Sequence, residues 1–232
     1  MAASTAPSAR GLKPVAWLDC PGGGQVSVDG TTAYVAHMKA PHGTSIVDVS
    51  DPAKPRVLAT LEVPPHTHSH KVRVANGLML VNREAQPAQQ PPAGVTGGLV
   101  IYDVSTPGTP REITFWKCGG AGVHRFTFDG RYAYISPEMD GYVGNIVMIL
   151  DLQDPARPKE VGRWWMPGQW TGGGETPTWS GRQHRCHHPI RLDDRLYVSN
   201  WHGGFVILDI ADMAKPRFIS GLDWSPPFLT PT

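Results

Sequence analysis

The chain has 232 residues, with 21 Lys and Arg scattered among 20 Asp and Glu for a net charge of +1. That balance excludes the basic stripe that nucleic acid or an anionic membrane surface requires, and no apolar run approaches the ~20 residues needed to span a bilayer. The 26 Gly and 23 Pro, with Val, Ile and Trp throughout, indicate turn-rich β-structure in place of disorder.

Residues 1–11 read as a disordered N-terminus without the continuous apolar segment of a secretory signal. Three cysteines, Cys20, Cys118 and Cys186, cannot all pair with one another, which fits a reducing compartment. A cytoplasmic location is therefore expected. "KPVAWLDC", Lys13 to Cys20, then has the pattern of a strand.

From there four units follow in order. Each begins with a hairpin, "GQVSVDGTTAYVA", "HKVRVANGLMLVN", "HRFTFDGRYAYIS" and "HPIRLDDRLYVSN", in which alternation is broken by DG, NG or DD. A third strand follows, "IVDVS", "IYDVS", "ILDLQ" and "ILDIA", with an acid at its centre: Asp48, Asp103, Asp151 and Asp209. A proline-marked turn then leads to a fourth strand, as in "DPAKPRVLATLEV". Four short antiparallel strands repeating about every fifty residues predict an all-β fold of β-propeller blades over 12–224, with 225–232 as a C-terminal tail. No segment of ten or more residues carries a 3.6-residue period.

The pattern [IL]-x-D-[VLI]-x-D-P-x-x-P resembles the LVIVD-repeat proteins, a β-propeller group, and the resemblance runs from Pro14 to Trp224. It implies the fold and no particular chemistry. Counting Lys13–Cys20 gives five fourth strands against four hairpins, so one strand is spare. The expected arrangement is four blades of a larger ring with C-terminal blades lacking. The alternatives are a four-bladed ring with a redundant strand and a ring closed by association of chains.

"PPHTHSHKVRV" sets His66, His68 and His70 on alternate residues, where a strand points them one way. Aligned by hairpin, Gly24, His70, His124 and His188 occupy the start of the innermost strand, the strand that lines a propeller's channel. His70, His124 and His188 are thus expected to hold one divalent metal, iron in the first instance, with zinc or manganese as alternatives. His66 and His68 are expected to face solvent or to orient ligands. The second strands end near the same rim, bringing His37, Glu84, Glu138 and His202. Glu84 and Glu138 would fix ligand tautomers or act as general base, with His202 as a further catalytic group.

The arrangement is similar to the axial metal centres of the carotenoid cleavage oxygenases, with their four histidines, iron and supporting glutamates, and more loosely to selenium-binding proteins. The plainer reading ties each histidine to a neighbouring blade's carbonyl. Each cysteine precedes an inner strand and reads as a small buried thiol or as a metal ligand.

The longest insertion, "RWWMPGQWTGGGETPTWSGRQHRCHH", carries Trp164, Trp165, Trp170 and Trp179, with three glycines as a flexible centre. Such loops often act as lids. Trp170, Trp179 and the rim residue Trp201 would contact a small apolar or aromatic organic substrate. At least one of Trp164 and Trp165 is expected in the fourth-strand core. The two functions that follow are a metal-dependent enzyme, of oxygenase, lyase or hydrolase class, and a non-catalytic propeller scaffold for protein partners.

Overall fold

The computed structural model describes residues 10–88, 90–179 and 183–223, so the expected 225–232 tail lies outside the described residues. Four antiparallel four-stranded blades follow one another. The first comprises β1 (Gly23–Asp29), β2 (Thr32–His37), β3 (His42–Asp48) and β4 (Arg56–Glu62). The second adds a short leading strand, β5 (Thr67–His68), to β6 (Val72–Ala75), β7 (Leu78–Ala85), β8 (Gly98–Asp103) and β9 (Arg111–Lys117). The third is β10 (Gly119–Phe128), β11 (Tyr132–Glu138), β12 (Val147–Asp151) and β13 (Lys159–Trp164). The fourth is β14 (His184–Leu192), β15 (Arg195–Trp201), β16 (Phe205–Asp209) and β17 (Arg217–Leu222). Among the described residues there is no α-helix, in line with the missing helical period.

The turn chemistry behaves as the residues dictate. Asn76 and Gly77 both take positive φ (53° and 73°) between the paired Ala75 and Leu78, which is the backbone a two-residue hairpin needs. Each third-strand aspartate does two jobs. One carboxylate oxygen accepts the backbone N–H two residues on, at Ser50, Ser105, Gln153 and Ala211. The other accepts an arginine: Arg56 for Asp48, Arg111 for Asp103, Arg131 for Asp151 and Arg217 for Asp209. The hydrogen bonds from Ser50, then that from Arg56, hold the Asp48 carboxyl down at about 2. In the first, second and fourth blades the arginine opens the fourth strand, so the acid clamps third strand to fourth; in the third blade Arg131 comes from the hairpin turn before β11.

Three cores lie between successive blades. Tyr34 and Ile46 of the first blade meet Val72, Met79 and Val81 of the second. Leu80, Leu99 and Ile101 of the second meet Phe126, Ile135 and Met148 of the third. Tyr134 and Ile149 of the third meet Leu196, Val198 and Leu208 of the fourth. Neighbouring residues such as Met79 and Leu80 therefore enter different cores, because successive strand side chains point to opposite faces. That is why the central third strands read as unbroken apolar runs.

Lys13–Cys20 corrects one expectation. It forms no strand, and Val15 and Trp17 stand 65% and 89% exposed. A fourth strand needs a third strand to pair with, and β3, β8, β12 and β16 are each already paired with their own.

Phe126 is 1% exposed in the core between the second and third blades, whereas Val28 on β1 is 62% exposed. Phe126→Ala should cost about 3–5 kcal/mol of unfolding free energy and Val28→Ala less than about 0.5 kcal/mol, both read from urea denaturation midpoints.

Candidate metal centre on the inner strands

The blades share one register. Thr32, Leu78, Tyr132 and Arg195 pair with the four clamp aspartates and serve as a common origin. Four residues further on stand Ala36, Asn82, Ser136 and Ser199. Their inner-strand neighbours are Lys71, whose N–H is held by Asn82 Oδ1 at 2.9 Å, Arg125, whose N–H is held by Ser136 Oγ at 2.9 Å, and His188, paired with Ser199. The blade-equivalent set is therefore Gly24, His70, His124 and His187. His188 was expected in that set and is one residue out. A one-residue slip turns a strand side chain to the other face.

Gly24 lacks an imidazole for a steric reason: a Cβ there would come within 2.6 Å of the Ala36 carbonyl and 2.8 Å of the His70 carbonyl. The close approach is used, since Gln25 N–H donates to His70 O at 2.9 Å and joins the first two inner strands.

Glu84 is the centre of the cluster. It ends β7 opposite Gly122 of β10, the bridge that merges the second and third blades into one sheet. Gly122 takes φ +108°, and a Cβ there would meet Arg83 O at 2.6 Å and Gly97 Cα at 2.7 Å, so only glycine lets the two blades close on this carboxylate. Glu84 is 3% exposed. Its Oε2 lies 2.9 Å from His68 Nε2 and 3.8 Å from His70 Nδ1, and its Oε1 lies 3.0 Å from His124 Nδ1. Ligating atoms of His68, His70 and Glu84 all fall within 4.8 Å of one another. The His70 and His124 rings are 5.6 Å apart and those of His124 and His187 5.0 Å. Asn82 reaches the His70 ring at 3.3 Å and the Val123 carbonyl at 3.1 Å, tying the cluster to the third blade.

Burial alone would favour a neutral Glu84, yet hydrogen bonds from His124 and His68 hold its carboxyl far below the usual range. Burial, then the neighbouring His68, pushes His70 down to about 2. The ring is held neutral, the form that ligates a metal.

His68, expected to face solvent or to orient ligands, is 6% exposed and in direct contact with the carboxylate. His188, expected as a ligand, sets its Nε2 3.3 Å from Phe126 O of the preceding blade. Glu138 occupies the position equivalent to Glu84 but accepts the Ala121 N–H at 2.8 Å and pairs with Arg185 at 3.3 Å. His202 accepts the Gln183 N–H on its Nδ1 at 2.9 Å and closes a loop. The contacts of Glu138 and His202 are not with the cluster.

Of the tryptophans, Trp179 stacks on His184 (4.2 Å, 5°) and lines a cavity of about 320 Å³ with Glu138, Gln183 and Arg185. Trp170 stacks on Tyr142 near Trp165, and Trp201 lies under the Arg185 guanidinium. Trp164 packs into the core between the third and fourth blades. The glycine-rich centre of the insertion, expected to be flexible, contains a 3₁₀ turn, Thr171–Gly173, whose Gly172 N–H is held by Gly141 O at 2.8 Å. Cys186 is buried in that same core and Cys118 packs beside the preceding one, and burial pushes both thiols up, Cys118 to about 12. They are inert packing groups.

Burial, then Arg125, lowers His187 to about 3, while burial, then Arg73, lowers His188 to about 4. The unfolded chain protonates these rings near pH 6.5. Between pH 6.5 and 4 it binds more protons than the folded chain, so stability falls as pH falls, by up to ~1.4 kcal/mol per pH unit per ring. Urea midpoints of the EDTA-treated protein should drop through this window, and His187→Gln should flatten the slope.

The LVIVD repeat family matches residues 23–61, the first blade, and 193–223, most of the fourth. No curated protein matches the chain in sequence. Among solved structures, a functionally unknown protein from Desulfotomaculum acetoxidans superposes with a TM-score of 0.56 at 14% identity, over 86% of this chain and 55% of that one. The computationally designed Ika8 protein gives 0.54 at 8% identity, over 88% and 49%. An S. cerevisiae assembly of a Dbp5 variant bound to Nup159, a Gle1 variant, IP6 and ADP gives 0.51 at 10% identity, over 88% and 48%. The chain spans about half the length of the solved chains it matches, and at these identities the likeness concerns the fold. Repeat match, blade topology and superposition agree: the chain carries LVIVD repeats and folds as four blades of a β-propeller.

Proposed function

We propose that His68, His70 and Glu84 hold a divalent first-row metal ion, iron first, with zinc and manganese as alternatives, and that the chain is a metal-dependent enzyme for a small organic molecule. The observation that carries the reading is Glu84, a carboxylate 3% exposed and surrounded by imidazoles. Donors at 2.0–2.2 Å from one ion and at right angles are ~3 Å apart, comparable to the spacing of Glu84 with His68. Mixed imidazole and carboxylate donors suit iron, manganese and zinc. His124, bonded to the other carboxylate oxygen, orients Glu84, and such supporting partners raise metal affinity. Bound there, the metal supplies Lewis-acid polarisation of a substrate or water oxygen.

The neighbouring Trp179-lined cavity supports an organic guest with an aromatic face. It connects to the cluster through side chains in contact: Glu138 with Arg185, Arg185 with Trp201, Trp201 with His187, and His187 with His124. Trp201 therefore links cavity and centre. Three free thiols with no disulfide fit residence in the cytoplasm.

Protein purified without a chelating tag should contain near-stoichiometric metal by elemental analysis. Glu84→Gln and His70→Ala should abolish it, His124→Ala should weaken affinity 10–100-fold, and His188→Ala should leave the content unchanged. A preparation that contains no metal and takes up none of Fe(II), Mn(II) or Zn(II) would reduce the cluster to a structural histidine network and leave the scaffold reading.

A further inference from the structure

One position further along each inner strand from the histidine set stand Gln25, Lys71, Arg125 and His188. Successive inner strands touch along this row. Arg73 Nη1 donates to Gln25 Oε1 at 2.8 Å across the first two blades, and His188 Nε2 approaches Phe126 O across the last two. Lys71 lies within electrostatic reach of Arg125 and Arg73, and Arg73 of Arg125, so the three cations gather beside the cluster.

Lys71 and Arg125 share one nearby acid, Glu84. Lys71 is 6% exposed. Arg125 Nε is buried without a partner, as is His187 Nδ1 next to it. Arg73 has only neutral acceptors, Gln25 Oε1 and Val72 O. The nearby acid is Glu84, already engaged by His68 and His124. Three positive groups crowded at low exposure repel one another and lose hydration. Buried polar atoms left without partners in this way mark a place where an acceptor from outside belongs.

We propose that Lys71, Arg73 and Arg125 form a binding site for the carboxylate of a small organic acid, with His187 at its edge. A carboxylate has the acceptor geometry for guanidinium and ammonium together. Lys71 and Arg125 lie within electrostatic reach of Glu84, and Lys71 of His70, so on the metal-centre reading the substrate is an organic anion with its carboxylate on the cations and its reacting end toward the cluster. The site itself depends on the cations and not on the metal.

Benzoate, inorganic phosphate and uncharged benzamide can be titrated by calorimetry into the full chain, both EDTA-stripped and metal-loaded. Benzoate should bind saturably to the stripped protein, more tightly than phosphate, with no detectable benzamide binding. Lys71→Met should weaken benzoate at least tenfold, keep the metal content and raise or preserve the thermal midpoint, because a buried charge crowded by Arg125 and Arg73 has been removed. Arg125→Gln should weaken it in the same direction and serves as the second variant if Lys71→Met does not fold. Benzoate bound no better than benzamide, phosphate bound better than benzoate, or binding unchanged in the folded variants would overturn the proposal. Failure of metal uptake alongside intact benzoate binding would remove the metal centre and leave the anion site standing.

Discussion

An ionised carboxylate in a protein interior needs donors on every side, and Glu84 imposes that requirement on the inner edges of two blades at once. β5 supplies His68, the approach to β6 supplies His70, and β10 supplies His124. The bridge at Gly122 is what allows β10 to come close enough. Side-chain-free backbone at that point, conditioned by its positive φ, joins the second and third blades into a single sheet and sets the geometry of the centre.

The rest of the fold separates two kinds of repetition. On the outer strands the repeat is chemical as well as geometric: four aspartates each hold a backbone N–H two residues on and an arginine, which opens the fourth strand in three blades and comes from the hairpin turn in the third. On the inner strands only the geometry repeats. The position held by Gly24 in the first blade becomes His70, His124 and His187, and the next becomes Gln25, Lys71, Arg125 and His188. A scaffold copied by repetition thus presents different groups to a common surface, which is how sites arise on folds that do not dictate function.

The tryptophan insertion packs against the segment from Gly141 to Asn145. Glu175 organises it, accepting from the Trp165 indole and from the Gly168 and Trp170 N–H groups. Glu138, equivalent to Glu84 by register, has different partners, since it holds Arg185 at the cavity and braces the Ala121 backbone. Equivalent position did not mean equivalent role, because Glu138 is met by Arg185, two residues before His187, the residue equivalent to the His124 that meets Glu84.

By itself the sequence determined the architecture: hairpins with DG, NG or DD turns, the four aspartates and the proline turns name every blade and almost every strand, since alternation and turn chemistry are local properties. It also determined that imidazoles and glutamates collect at the inner ends of strands. What only the tertiary structure decided was which of them meet. Aligning the hairpins by their leading histidine overlooked that His188 stands one residue closer to its second strand than His70 and His124 do to theirs; alignment on the second strands, TAYVA, LMLVN, YAYIS and RLYVS, would have found His187. Nothing local could have moved His68 from the rim to the carboxylate, or left Lys13–Cys20 without a strand to join, because burial and pairing depend on which other chain segments arrive beside a residue.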